Sequence, residues 1–569
     1  MKKRFLMAAS MLTAAMGLSS ASAAPKPSPP PKPNIVLIVL DDVGFSDLGA
    51  FGSEIRTPNI DALAAGGLRY NRFDSKAICT ATRAALLTGR NNQTVRMADL
   101  PTNSRTNDLS RDRGELPANA QLLPQALKAA GYRTYGVGKW HLGPEFEDGS
   151  PGNNASWPLQ RGFDRFYGFY LGWTDQYHPD LIDGNQVLPK PDKPGYHFSA
   201  DMADHAIADI DDAAGKPFFL YFAMGAGHAP LQVPRAYIDR YRGVYEKGWD
   251  AIRAERFARM QKSGIIPPGT FLTDRAAADR PWEALSEDEK IVFARYMATY
   301  AGFLEHADEQ IGRVVQRLKN TGLYDNTIIM LISDNGAASE AGQEGSFEKM
   351  YRPNKLSFAQ QRARIDDIGT DKVQPEYPRP WAWAGDTPLR RYKVWPYAGG
   401  VRTPLIVSWP SMIRDGGAVR TQFVDPIDLA PTLLDAAGTS FARTVDGVAQ
   451  IRVAGQSIRA TFRDPAARTR SVQYFELRGQ RAITSGHWRA VAMHKYGTDF
   501  AKDKWELFDL SKDYSESTDL ASRYPAKLEE MKTLWWREAR KYSTPPLAEP
   551  PEIFAKRARY DDAFADTPK

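Results

Sequence analysis

Cysteine is almost missing: the 569 residues contain one, Cys79. A disulfide-stapled scaffold is therefore excluded. Apolar runs of spanning length, about 18 residues or more, do not occur beyond the N-terminal leader, which excludes a polytopic membrane protein. A surplus of one charge is also lacking, with 74 Lys and Arg against 68 Asp and Glu. There is no Lys/Arg block and no aromatic-basic repeat, so a nucleic-acid partner is not expected. Internal repeats are absent too. What remains has ordinary globular composition, 42% hydrophobic and 25% charged. The length calls for one large domain with a smaller one.

The N-terminus reads as an export signal. Lys2, Lys3 and Arg4 form a positive start, Phe5 to Leu18 an apolar stretch, and Ala21-Ser22-Ala23 a small-residue cleavage site. We expect residues 1–23 to be a signal peptide cleaved after Ala23. The mature protein is then periplasmic or secreted, with no stable membrane anchor. Residues 24–33 (APKPSPPPKP) form a Pro-rich tether.

From residue 34 the pattern alternates. Asn34 to Leu40 is apolar on both faces, the mark of a central parallel strand, and it ends in Asp41-Asp42. Thr57-Pro58 opens a helix that Gly66-Gly67 stops, and Leu68 to Phe73 is a short strand. Cys79 to Arg90 runs from loop into helix. Tyr132 to Val137 is strand-like and leads to Lys139 and His141. Pro217 to Met224 is a buried strand leading to His228. A helical stripe runs from Phe303 to Leu318, and Thr327 to Ser333 is a further buried strand ending in Asp334-Asn335-Gly336. Strands alternating with helices predict an α/β fold with a large mixed, mostly parallel sheet. Beyond about Val445, short alternating segments and an amphipathic stretch over Tyr524 to Tyr542 predict a smaller α+β domain with an antiparallel sheet. The long polar segment 339–391 is expected to be a lid or a rim, or to lack order.

The placement of polar groups carries the functional argument. Asp41-Asp42, Lys139 with His141, His228 and Asp334-Asn335 each follow an apolar strand. In such sheets the carboxyl ends of the strands line the ligand crevice. A lone Asp-Asp or Asp-Asn-Gly is an ordinary turn; four strands delivering ionisable groups to one edge are hard to explain by packing. Three carboxylates gathered there would repel without a cation. Hard oxygen donors favour Ca²⁺, with Mg²⁺ second, over Zn²⁺. Cys79, alone in an exported chain, opens a helix with Arg83 one turn on. It is either an inert buried thiol or a nucleophile or modified residue.

These segments together resemble the sulfatases of the alkaline-phosphatase-like superfamily, and most of all the bacterial arylsulfatases. Cys79-Thr80-Ala81-Thr82-Arg83 resembles the signature C-x-(P/A)-x-R, and the Leu-Thr-Gly-Arg ending at Arg90 continues it. Gly138 to Gly143 reads G-K-W-H-L-G, and Ser333 to Gly336 reads S-D-N-G. Lys393 followed by Gly399 to Pro404, then Asp428 to Thr432 and Leu507 to Leu510, resemble later landmarks. The likeness runs from about Pro33 to Tyr542. Two departures concern maturation, Ala81 where many members have Pro and Thr82 where many have Ser. A third is Ala398, where the family usually has Glu.

The resemblance implies alkaline-phosphatase-like architecture: a catalytic domain over residues 34–440, a C-terminal antiparallel-sheet domain over 441–550 and a tail over 551–569. It implies conversion of Cys79 to Cα-formylglycine by a maturation enzyme. Asp41, Asp42, Asp334, Asn335 and the modified Cys79 would hold Ca²⁺. Arg83 and Lys139 would steady the aldehyde hydrate, and His141 would take a proton during sulfate release. His228 and Lys393 would bind sulfate and assist the leaving oxygen. The expected activity is hydrolysis of a small-molecule aryl sulfate. Alternatives are a phosphonate monoester or phosphodiester hydrolase of the same superfamily, and a non-catalytic sulfoconjugate-binding protein. A bare-thiol hydrolase is disfavoured because no His/Asn pairing with Cys79 is readable, whereas a metal site is. Aromatics in Phe163 to Tyr177 and Trp381/Trp383 either rim the site or pack the domain. Oligomeric state is not legible.

Overall fold

The computed structural model describes residues 31–101, 114–144 and 154–542, with Leu547 and Glu549. The expected signal peptide, most of the tether and the tail lie outside these residues. Among the described residues no helix is long and apolar enough to cross a membrane.

The strands of the large sheet are β1 (Asn34–Leu40), β2 (Leu68–Tyr70), β3 (Arg133–Lys139), β4 (Arg165–Phe169), β5 (Ile182–Asp183), β6 (Gln186–Val187), β7 (Phe218–Ala223), β8 (Thr327–Ser333), β9 (Leu405–Ser408) and β10 (Val419–Arg420). Their order is β10-β2-β9-β8-β1-β7-β3-β4-β5-β6. The run β8-β1-β7-β3-β4 is parallel throughout. Strand β9 runs antiparallel to β8 and β2, and β5 and β6 add antiparallel pairs at the far edge. All five central strands thus end on the same side.

Helices cover both faces, which is why the central strands read as continuous apolar runs. Side chains alternate between two cores. Val36, Ile38 and Leu40 of β1 join one with Leu220, Phe222 and Leu331. Ile35, Leu37 and Val39 join the other with Phe219, Tyr221 and Met330. The first core is roofed by the helix Glu287–Asn320, much longer than the stripe in the sequence indicated. It starts with a capping box, in which Ser286 Oγ accepts from Glu289 N–H and Glu289 returns a contact to Ser286 N–H. The helix Cys79–Thr88 is buried at every position and stops at Gly89, whose φ of 63° is left-handed.

Segment 339–391 is neither open nor unstructured. It contains the helices Phe358–Ala363 and Arg379–Gly385. Trp381 packs edge-on against Tyr245, Trp249 and Trp282. Trp383 lies over the Arg253 guanidinium, whose Nη1 donates to its carbonyl.

A small hairpin, β11 (Thr444–Val445) with β12 (Val448–Ala449), precedes the second sheet. That sheet is antiparallel, in the order β13 (Val472–Leu477), β14 (Gln480–Ser485), β15 (Trp488–Ala492) and β16 (Trp505–Asp509). One face packs on the helix Pro525–Lys541 through Tyr474, Ile483, Leu507, Met531 and Trp535. The other face, with Leu477, Val491 and Phe508, is continuous with the first core of the large sheet.

Trp535 anchors this second layer: it is fully buried and its Nε1–H donates to Phe475 O at 3.0 Å. Trp535→Ala should cost about 3–5 kcal/mol, read as a lowered Tm with the large sheet's near-UV signal retained below the transition. An unchanged Tm would contradict this packing.

Candidate functional site

The turns leaving β1, β3, β7 and β8 converge because their strands are parallel neighbours. Close backbone approach tightens the cluster. Gly227 (φ 102°) brings the exit of β7 so near β1 that a Cβ there would lie 2.0 Å from Asp41 O. Gly138 (φ 105°) does the same between β3 and β7, against Ala223 O. The exits hold non-glycine residues in left-handed backbone as well, Asp42 (φ 59°) and His141 (φ 52°). Such conformations cost on the order of 1–3 kcal/mol each and persist only where surrounding structure enforces them.

Nearly all the residues picked out in the sequence meet here. Lys139 Nζ donates to Asp41 Oδ2 at 2.7 Å. Arg83 Nε donates to Asp334 Oδ2 at 2.9 Å, and its Nη1 to Tyr221 Oη at 3.1 Å. Asn335 Nδ2 donates to Asp42 Oδ1 at 2.6 Å. Lys393 Nζ lies 2.9 Å from Asp42 Oδ1. His228 Nε2 lies 3.7 Å from Asp42 Oδ2. Cys79 Sγ contacts His141 Nδ1 at 3.3 Å. This last contact supplies a His partner for the thiol that the sequence did not make readable: 62 residues separate the pair in the chain, and the start of the Cys79 helix meets the turn leaving β3.

Electrostatics divide the groups. Burial raises Asp334 to about 7, helped by the neighbouring Asp41 charge and opposed by Arg83 and Lys139. Burial also acts to raise Asp42, but Lys393, His228 and Asn335 outweigh it and hold Asp42 well below its ordinary value. Burial pushes the Cys79 thiol up to about 11, with Asp334 and Asp41 adding to the shift against Lys139 and Lys393. Burial and the cations Lys139 and Arg83 hold His141 far below its usual value. At neutral pH the thiol is protonated and His141 is a neutral base.

The donor set fits a hard divalent cation. Asp41, Asp42 and His228 each offer a ligand atom within 4.8 Å of the others. Asp41 Oδ1 and Asn335 Oδ1 are buried without a hydrogen-bond partner. A buried acceptor left unpaired is costly, and a cation beside both would satisfy them.

The sulfatase family model matches residues 33–439. This chain belongs to the sulfatase family. A second model, the C-terminal region of N-sulphoglucosamine sulphohydrolase, matches residues 391–537. An uncharacterized sulfatase of Schizosaccharomyces pombe is 31% identical over 88% of this chain and 92% of its own length. An arylsulfatase of Klebsiella aerogenes is 30% identical over 71% of this chain and 86% of its own. Among solved structures, Ps i-CgsB bound to a neocarrahexaose superposes with a TM-score of 0.63 at 23% identity, over 94% of this chain and 99% of that one. The phosphonate monoester hydrolase of Agrobacterium radiobacter superposes at 0.57 and 18% identity, over 90% and 96%. These last two likenesses establish the fold alone. The reaction of this sulfatase is hydrolysis of a sulfate ester.

Two residues at the sulfatase site had no signal in the sequence. Glu340 Oε2 accepts from Lys393 Nζ at 3.0 Å, and Tyr351 Oη lies 3.4 Å from His228 Nε2. Both come from segment 339–391, where no apolar strand points at them. Of the aromatics weighed as a rim, Phe163, Phe166, Phe169, Tyr170 and Trp381 are buried in the domain. Trp173 stays exposed next to Gly172, which abuts the His141 ring.

If a divalent cation neutralises this cluster, it binds the folded state alone. At 100 times Kd it should stabilise by about 2.7 kcal/mol, seen as a Tm that rises with added Ca²⁺ and falls with chelator. Asp41→Ala should flatten the response; a wild-type Tm indifferent to cation and chelator would exclude the site.

Proposed function

We propose that this sulfatase hydrolyses aryl sulfate esters, using a Cα-formylglycine made from Cys79 by a maturation enzyme and a Ca²⁺ ion held by Asp41, Asp42, Asp334, Asn335 and the modified residue 79. The observation that carries the reading is the contact of Cys79 Sγ with His141 Nδ1, inside a cluster that also holds Arg83 and Lys139 on the Asp334 and Asp41 carboxylates. A thiol raised to about 11 is a poor nucleophile at neutral pH, which argues against direct use of the unmodified Cys79.

The formylglycine hydrate supplies two hydroxyls on one carbon, one to attack sulfur and one whose deprotonation expels sulfate. A cation held by Asp41, Asp42, Asp334 and Asn335 would supply positive charge for a sulfate oxygen and favour loss of a neighbouring hydroxyl proton. Four protein oxygen donors suit Ca²⁺ better than water-rich Mg²⁺. His141, neutral and beside residue 79, takes the second hydroxyl's proton. Arg83 and Lys139 fix the hydrate and, through Asp334 and Asp41, the carboxylates around it. Lys393 and His228, both beside Asp42, would bind the sulfate oxygens and assist the departing phenol oxygen. Trp173, exposed beside the His141 segment, offers a face for the aryl group. The leader sequence makes a periplasmic or secreted location part of the same proposal.

Cys79→Ala should abolish turnover of nitrophenyl sulfate, a loss of at least about 10⁴-fold for a missing nucleophile, with Tm within a few degrees of wild type. Peptide mass spectrometry of active enzyme should find the residue 79 sulfur replaced by an aldehyde oxygen. Active protein carrying only the thiol would refute the mechanism. A clear preference for phosphonate monoesters or phosphodiesters over aryl sulfates would move the assignment to that class of hydrolase.

A further inference from the structure

Segment 339–391 places one carboxylate where the reaction has no use for it. Lys393 Nζ, buried beside Asp42 at 2.9 and 3.1 Å from its two oxygens, also donates to Glu340 Oε2 at 3.0 Å. One ammonium thus serves two carboxylates. Asp42 is buried, whereas the Glu340 side chain keeps 22% exposure, so Glu340 takes the outer side of the pair. Tyr351, from the same segment, reaches His228 and feels the Glu340 charge. Glu340 therefore contacts Lys393 directly and neighbours, through Tyr351, the side chain that reaches His228.

The chemistry of the anions gives this carboxylate a purpose. An organic sulfate ester carries one negative charge. A phosphate monoester carries close to two at neutral pH, and so does inorganic sulfate. Hydrolysis itself makes that change: the ester anion and water yield the alcohol, the sulfate dianion and one proton. Coulomb repulsion from a fixed charge scales with the charge of the ligand, so a dianion pays about twice what a monoanion pays.

We propose that Glu340 is a charge filter: by drawing on the Lys393 ammonium from its more exposed side, it selects the singly charged ester against phosphate monoesters and speeds release of the doubly charged product. The inference rests on the proposed reading that Lys393 binds the sulfate group. It adds a specificity-determining residue to that reading and assigns Glu340 no part in bond cleavage.

The test compares wild type, Glu340→Gln and Glu340→Asp in mature enzyme. Three quantities are read: kcat/KM for nitrophenyl sulfate, kcat/KM for nitrophenyl phosphate, and the inhibition constant of inorganic sulfate. Glu340→Gln should shift the phosphate-to-sulfate ratio upward by about tenfold and tighten sulfate inhibition by about tenfold, as expected for removing one charge near a dianion. Glu340→Asp, which keeps the charge, should stay near the wild-type ratio. Glu340→Ser replaces the Gln variant if that one fails to fold. A neutral variant that changes both esters and the inhibitor by the same factor, or an Asp variant that behaves like Gln, overturns the filter. Calorimetric titration of Cys79→Ala, with and without Glu340→Gln, with inorganic sulfate keeps the two ideas separable. Tighter sulfate binding in the double variant supports the filter even if wild type hydrolyses no sulfate ester, whereas such inactivity in fully modified enzyme would overturn the proposed function.

Discussion

Buried like charge is the constraint on which the rest of this structure depends. Five parallel strands ending at one edge bring Asp41, Asp42 and Asp334 into a volume without solvent. Removing a carboxylate from water is tolerated only where opposite charge and hydrogen bonds replace the lost hydration. Arg83, Lys139 and Lys393 provide much of that, on Asp334, Asp41 and Asp42 respectively. Asp41 Oδ1 and Asn335 Oδ1 are left without a partner, and a cation beside them would complete the balance. A donor set suited to a metal ion, a raised Asp334 and a lowered His141 are consequences of one crowded arrangement.

Backbone geometry enforces that crowding. Strand ends lie only as close as their connecting turns permit, and Gly227 and Gly138 remove the Cβ atoms that would separate them. Left-handed conformations at Asp42, His141, Tyr351 and Val394 surround the same point. The stabilising partner is the pair of cores on either side of the sheet, which hold Ile35 to Leu40 on β1 with no freedom to relax. The second sheet contributes by closing one of those cores. Strain at the centre is thus balanced by packing at the periphery, as expected where function needs fixed, poorly solvated groups.

Much of this was legible in the chain. Runs apolar on both faces mark β1, β7 and β8, and the polar residues that end them mark the edge where the site forms. The antiparallel C-terminal sheet was readable from the short alternating segments beyond about Val445, where β13 to β16 form. Other features depend on contacts across long separations and leave no local pattern. Cys79 meets His141 only because the helix after residue 78 lies against the exit of β3. Glu340 and Tyr351 sit in a polar stretch whose composition resembles any surface loop, yet its helices and Trp381 are tied into the core. The stripe from Phe303 to Leu318 gave half of the helix Glu287–Asn320, because its first half is buried nearly all round and loses the one-sided pattern. Trp381 shows an ambiguity the sequence leaves open: rim and packing are both readable for an aromatic in a polar segment, and neighbouring aromatics claim it for packing.

The account stands on a cation lying among oxygens delivered by β1 and β8, next to residue 79. Crystals of the mature enzyme grown with Ca²⁺, measured for anomalous scattering, test this most directly. A single strong peak contacting Asp41 Oδ1 and Asn335 Oδ1, and within bonding distance of residue 79, is the predicted result. A map with no peak there, or with its only peak elsewhere on the molecule, would contradict it.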